Sequence, residues 1–181
     1  MVSEYNQNEI NARAFPLCDA LGPLLIPSNN RGANMEGRNG VGIILSEELM
    51  ENYIRVNKQN YRIISLKIRL RATIVNVVCT YTLQTGCTEK VKDTFWEEMD
   101  QELGIIPARE RVIIGGGLNC HLGISREGIE RVHAGWGLGE RNDGGERVIE
   151  FALAFDIAMI YNFFEKKINR LITCSSGGRE N

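Results

Sequence analysis

The sequence predicts an α/β fold, and three stretches carry that prediction. Tyr61 to Leu70 alternates: Ile64, Leu66, Ile68 and Leu70 fall on one side, Ser65, Lys67 and Arg69 on the other. That period of two is the signature of a half-buried strand. Ile74 to Thr80 is a run rich in β-branched residues, as expected of a central strand covered on both faces. Val91, Phe95, Met99 and Leu103 recur every four residues, with Glu97, Glu98, Asp100 and Glu102 between them. This spacing predicts an amphipathic helix that packs on a sheet and turns a solvated acidic face outward.

The other elements follow in chain order. Residues 1–37 fit no element well and read as an unassigned, replaced N-terminal segment, with at most a short strand from Leu21 to Ile26 interrupted by Pro23. A domain is expected to begin at Arg38 and run to Asn181. Val41 to Leu45 reads as a strand opened by the Asn39-Gly40 turn. With the two strands above it suggests three consecutive strands of one antiparallel stretch. Gly104 is placed to end the helix. A short apolar run, Val112 to Ile114, then stops at Gly115, Gly116 and Gly117. From Gly115 to Gly145 the chain is rich in glycine and too long for a hairpin, which predicts a functional or formerly functional loop. Asp143 and Glu146 have capping-box spacing ahead of a second helix carrying Val148, Ile149, Ala152 and Phe155. Ile157 to Ile160 and Leu171 to Thr173 read as further strands. No internal repeat or low-complexity tract is present.

Composition bounds the function. With 181 residues the chain is long enough for one domain with a real core, and 43% hydrophobic against 24% charged residues excludes a disordered chain. Lys and Arg number 21 and Asp and Glu 23, a net charge of −2. A protein living on DNA-backbone contacts usually shows a basic surplus or stripe, so strong nucleic-acid binding is disfavoured, although a nuclease needs only a local positive track. The five cysteines are dispersed and form no C-x-x-C pair. This suggests reduced thiols and an intracellular setting, nuclear or cytoplasmic. Cys87 and Cys120 fall in loops where a thiol could react, although ordinary free thiols are the plainer reading. No apolar run approaches the ~20 residues of a membrane span, so no membrane partner is expected.

Four stretches resemble one family. Ile113 to Gly123, Ile-Ile-Gly-Gly-Gly-Leu-Asn-Cys-His-Leu-Gly, resembles the Gly-Asp-x-Asn motif of the endonuclease/exonuclease/phosphatase superfamily, which in retrotransposon-derived members runs Ile-Gly-Gly-Asp-Phe-Asn-Gly-His. Ile114, Gly115, Gly116, Asn119 and His121 match. Gly117 stands where the motif has Asp, Leu118 replaces Phe and Cys120 replaces Gly. Val77 to Gly86 resembles the Ala-Tyr-Ala-Pro-Gln segment, with Tyr81 and Gln84 on its Tyr and Gln and Leu83 replacing Pro. Arg38 to Leu45 is similar to copies in LINE-type elements. His133 to Glu150 has the glycine-rich loop and an Arg-Asn-x-Gly-Gly-x-Arg-like turn into a helix. All four occur in family order.

The resemblance implies a four-layer α/β/β/α sandwich of two mixed sheets flanked by helices, here partial. It implies metal-dependent phosphodiester hydrolysis, with Mg²⁺ polarising the phosphate and a carboxylate base preparing water. Tyr81 would touch the phosphate and Asn119 would orient the phosphate or the nucleophile; both would be vestigial catalytic residues. Read without the family, Tyr81 is equally a strand-end Tyr with its ring in the core, and Asn119 a turn-forming Asn. Gln84 and His121 would face the DNA substrate; on their own they read as a solvated Gln and a loop imidazole. Gly117 replaces the key Asp and can neither take a proton nor bind a metal. The family's upstream Glu has no candidate, and its Ile-Asp-Tyr and Ser-Asp-His segments would lie beyond Asn181, leaving sheet edges open.

The expected function is therefore an inactive remnant of a metal-dependent DNA endonuclease of retrotransposon origin. It would have no metal-ligand set, doubtful Mg²⁺ binding, and weak or absent DNA binding. The alternatives are a non-catalytic protein-interaction module on the same fold and an active nuclease with rearranged ligands.

Overall fold

In a computed structural model of the chain, the described residues are 24–27, 40–83, 86–137, 139–165, 175–176 and 179–180. The chain divides into two compact units at the Gly117–Leu118 bond. The fold is mixed α/β, with one four-stranded mixed sheet and several helices.

The first unit holds the sheet. Its strands are β3 (Tyr53–Lys58), β4 (Ile63–Leu70), β5 (Thr73–Tyr81) and β6 (Arg111–Gly117), in that spatial order. β3–β4 and β4–β5 pair antiparallel, and β5–β6 pair parallel. Two shorter strands, β1 (Leu24–Pro27) and β2 (Gly42–Leu45), form a separate antiparallel pair. A four-residue helix α1 (Glu47–Met50) follows β2, and the long helix α2 (Glu89–Gly104) bridges β5 and β6. A crossover of that length is what a parallel pair requires.

Alternation decides what each face touches. Ile64, Leu66 and Ile68 of β4 and Val75 of β5 form one cluster with Ile43 and Leu45 of β2. Each fully buried Ile or Leu of this kind contributes about 1.5–3 kcal/mol. The other face carries Asn57 and Ser65, and α2 reaches it. Glu102 of α2 accepts hydrogen bonds from Ser65 Oγ and from Asn57 Nδ2 (2.6 Å). Phe95, Met99 and Leu103 of α2 are buried. The acidic face expected to be fully solvated is therefore only partly so: Glu97 and Asp100 are exposed, while Glu102 is buried. A second carboxylate, Glu110, accepts from Asn76 Nδ2 (2.8 Å) and pairs with Lys67 Nζ (2.9 Å), which hold its pKa below the usual range.

Several expectations are corrected. β4 is covered on both faces rather than half-buried, since Ile63 and Ser65 are buried as well as Ile64 and Leu66. β2 pairs with β1 and does not join β4 and β5; β3 takes the place next to β4. The apolar run at Val112 does not stop at the glycines, because β6 continues through Gly117. The expected domain start at residue 38 and the strand at Leu171–Thr173 lie outside the described residues.

The second unit holds the loop from Leu118 to Asn142, helix α3 (Asp143–Ala154) and a 3-10 turn (Ile160–Phe163). Leu122, Ile129, Val132, Val148, Ile149, Ala152 and Met159 are buried there. The N-cap of α3 is Asn142, whose Oδ1 accepts from Gly145 N (2.9 Å). The cap therefore sits one residue before the expected Asp143, and Glu146 pairs with Arg141 (3.1 Å) instead. The expected strand at Ile157–Ile160 is absent; Met159 N bonds Val132 O (2.9 Å) and the chain then turns. β7 (Ser175–Ser176) and β8 (Arg179–Glu180) form a short antiparallel pair.

Candidate functional site

The C-terminal ends of two parallel strands bring Tyr81 and Gly117 together. They are paired neighbours in the β5–β6 register. Strand ends of this kind are where α/β proteins gather ligands. Gly116 makes the close approach possible. Its φ is +151°, and a Cβ there would collide with the Thr80 carbonyl. Beyond the pairing, Thr82 N donates to Gly117 O (2.9 Å) and extends the tie by one residue.

The space over Gly117 is taken by Tyr81. A Cβ at Gly117 would stand 3.0 Å from Tyr81 Cδ2 and 3.1 Å from Cε2. The ring thus lies over the position where the resemblance puts a carboxylate. Arg62 also packs on Tyr81, with its guanidinium carbon 5.7 Å from that ring centroid and 5.2 Å from the Tyr61 ring centroid. Its Nη1 donates to Tyr81 O (3.1 Å) and Thr82 O (3.3 Å). A phenol hydroxyl here can donate to a phosphate oxygen. Gly117 offers no base.

Asn119 and His121 belong to the second unit. Asn119 is exposed and has φ +45°, a left-handed conformation that Asn tolerates better than most residues. His121 is exposed. Its backbone, not its imidazole, is fixed: His121 N donates to Asn142 Oδ1 (3.1 Å) and Asn142 N donates to His121 O (3.1 Å). Gly145 lies against that carbonyl so closely that a Cβ would collide with it. The helix cap and the His121 turn are thus one construction built on Asn142. Gln84 lies outside the described residues.

Two further groups in this unit have shifted acidities. Burial pushes the Cys120 thiol up to about 11, so it stays protonated and is a poor nucleophile near neutrality. This agrees with the ordinary free thiol that the sequence favours at this position. His133 is fully buried, with Nδ1 accepting from Gly135 N (3.0 Å); burial first, and the Arg141 charge second, lower its pKa.

Among the described residues, the donor set at the ends of β5 and β6 does not fit a resident Mg²⁺. That ion takes carboxylate and water oxygens in a near-octahedral shell. Gly117 supplies no side-chain oxygen, its carbonyl already accepts from Thr82 N, and among the described residues no three His, Cys, Asp or Glu side chains gather closely enough to hold a metal. The sequence signals for Arg62 and Asn142 were weak. Arg62 precedes an apolar strand like many surface arginines, and Asn142 was masked by the better-known spacing of Asp143 and Glu146.

No family model matches the chain. Curated relatives do. The chain is similar to craniofacial development protein 2. It is 29% identical to that protein from Bos taurus and 28% identical to that from Tragulus javanicus, in each case over 139 residues, 77% of the chain. The matched stretch covers 23% and 24% of those proteins, so the chain spans about a quarter of their length. Among the described residues no helix is long and apolar enough to cross a membrane.

Proposed function

We propose that this chain carries part of an endonuclease/exonuclease/phosphatase-type domain of LINE-type retrotransposon origin, and that by itself it does not cleave phosphodiesters. The observation that carries the reading is the Tyr81–Gly117 pair. Two positions that match separate motifs of the family meet at adjacent strand ends, and the one that should bear the acid bears none. The similarity to craniofacial development protein 2 loosely supports a nuclease-like fold. The stacking of β1–β2 on one face of the sheet and of α2 on the other agrees with three layers of the four-layer sandwich.

In this reading Tyr81 and Asn119 each keep a motif position that contacts phosphate in the family, and Gln84 and His121 each keep one that faces substrate. Losing a positioned base alone lowers a rate by about 10²- to 10⁴-fold. Losing the metal's oxygen ligands removes its share of transition-state stabilisation as well. DNA binding is weak or absent, given the net charge of −2. The protein acts in the nucleus or cytoplasm. The test is nicking of supercoiled plasmid with Mg²⁺ and with Mn²⁺. No nicking above a metal-free control is the expected result. Metal-dependent nicking that disappears in Asn119→Ala would establish an active nuclease with rearranged ligands instead.

A further inference from the structure

A cavity of about 200 Å³ opens on the α2 side of the first unit, among Asn60, Arg62, Leu83, Phe95 and Glu98. Leu83, Val91 and Phe95 give it an apolar wall, and two opposite charges, Arg62 and Glu98, also line it. Arg62 is only 9% exposed, and its Nε has no hydrogen-bond partner. Its Nη1 is taken up by the carbonyls of Tyr81 and Thr82. Among the described residues no carboxylate lies within ion-pair distance of it. A guanidinium withdrawn from water without a counter-anion is costly, and the two tyrosine faces offset only part of that. Glu98 is held in place by Asn60, whose Nδ2 donates to Glu98 Oε2 (2.7 Å). Asn60 is itself fixed, its Oδ1 accepting from the backbone N–H groups of Arg62 (2.7 Å) and Ile63 (2.9 Å). The cation and the carboxylate thus both line the cavity, each held by its own hydrogen bonds and not paired with the other.

We propose that this cavity binds a small aliphatic α-amino acid, with its carboxylate on Arg62, its ammonium on Glu98 and its side chain against Leu83, Val91 and Phe95. The charges select the class. A phosphate would set extra negative charge beside Glu98, and a neutral apolar molecule would leave Arg62 unpaired. A dipolar ligand answers both groups. The volume limits size, since sites for drug-sized molecules measure about 300–1,000 Å³. A ligand this small is expected to bind with a Kd on the order of a millimolar.

Trp96 stands edge-on to Phe95 at 5.3 Å between centroids and reports on the cavity. The chain has two tryptophans, so Trp136→Phe leaves Trp96 as the single fluorophore. In that background L-leucine, 4-methylpentanoate and 3-methylbutylamine are titrated to about 50 mM, well above the expected Kd. Leucine gives a saturable emission change, and each one-charge analogue binds about tenfold more weakly, as for one lost charge-assisted contact. Arg62→Met abolishes leucine binding. Because that variant also removes the hydrogen bonds to Tyr81 O and Thr82 O, Glu98→Gln serves as the second probe; it weakens leucine about tenfold and leaves 4-methylpentanoate unchanged. No saturation with leucine overturns the proposal. So does equal affinity for leucine and 3-methylbutylamine, or leucine binding that is unchanged in Glu98→Gln.

Discussion

Replacing Gly117 by Asp restores the side chain that the motif otherwise carries, and the structure says what it meets. The new Cβ stands 3.0 and 3.1 Å from two Tyr81 ring carbons, so the ring must give by a few tenths of an ångström. Tyr81 is only half-buried and can move. Overpacking of this kind costs about 1–2 kcal/mol. Removing a glycine from a strand returns about 0.5–1 kcal/mol. The net loss is about 0–1.5 kcal/mol, a fall in Tm of a few degrees for a chain of this size. Gly116→Ala is the internal control one residue away. Its Cβ would collide with the Thr80 backbone at a φ of +151°, and neither strand can shift without breaking the β5–β6 ladder. A loss of about 3 kcal/mol or more is expected there. Thermal and urea unfolding followed by circular dichroism measures both, and neither variant gains metal-dependent nicking. Gly117→Asp as damaging as Gly116→Ala would refute the packing argument. Nicking by Gly117→Asp alone would refute the claim that more than one oxygen ligand is missing.

Three other outcomes follow from the buried polar groups. Glu102→Ala strands Ser65 and Asn57 beneath α2 and should cost about 1–3 kcal/mol in urea unfolding, whereas Glu97→Ala, on the exposed face, should stay within about 0.5 kcal/mol. His133 is buried neutral with a lowered pKa, so the unfolded chain takes up the proton first as pH falls. The stability it contributes is intact above the unfolded value of about 6.5 and declines as pH drops from there towards the folded pKa. The difference in urea midpoint between pH 7.5 and pH 5.5 should shrink in His133→Gln, and an unchanged difference would remove His133 from the account. The Cys120 thiol, pushed up to about 11, should be alkylated by iodoacetamide at pH 7.5 at least tenfold more slowly than a free cysteine peptide (whose pKa is about 8.5), as read by peptide mass mapping.

The strands and helices with strong periodicity were legible because burial writes itself into the sequence as a period. Ile64, Leu66 and Ile68 mark β4, and Phe95, Met99 and Leu103 mark α2, since each set lies on a face that packs. What periodicity cannot carry is partner choice. β2 reads as a good strand, yet nothing in Gly42–Leu45 says that it pairs with β1 and stacks on the sheet instead of joining it. β3 was missed because Tyr53, Ile54 and Arg55 are exposed and its polar Asn57 points at Glu102, so no apolar alternation remains. The three glycines read as the end of a strand because glycine disfavours strands. In β6 they are kept by closeness, at Gly116 against Thr80 and at Gly117 against Tyr81. At the site, the sequence put Tyr81 at a strand end but ended the next strand at Ile114, three residues short of Gly117. The burial of Arg62 between two tyrosines depends on side-chain packing that no local pattern encodes.

Among the described residues, the ends of β5 and β6 lack the carboxylate oxygens that a hard cation needs. Titration with Mn²⁺, observed as paramagnetic broadening of backbone amide signals, tests it at the residues concerned. Only shallow, non-saturating broadening at scattered exposed carboxylates is expected, with Tyr81, Gly117 and Asn119 unaffected. Saturable, stoichiometric broadening centred on Gly117, reversed by Mg²⁺, would contradict it.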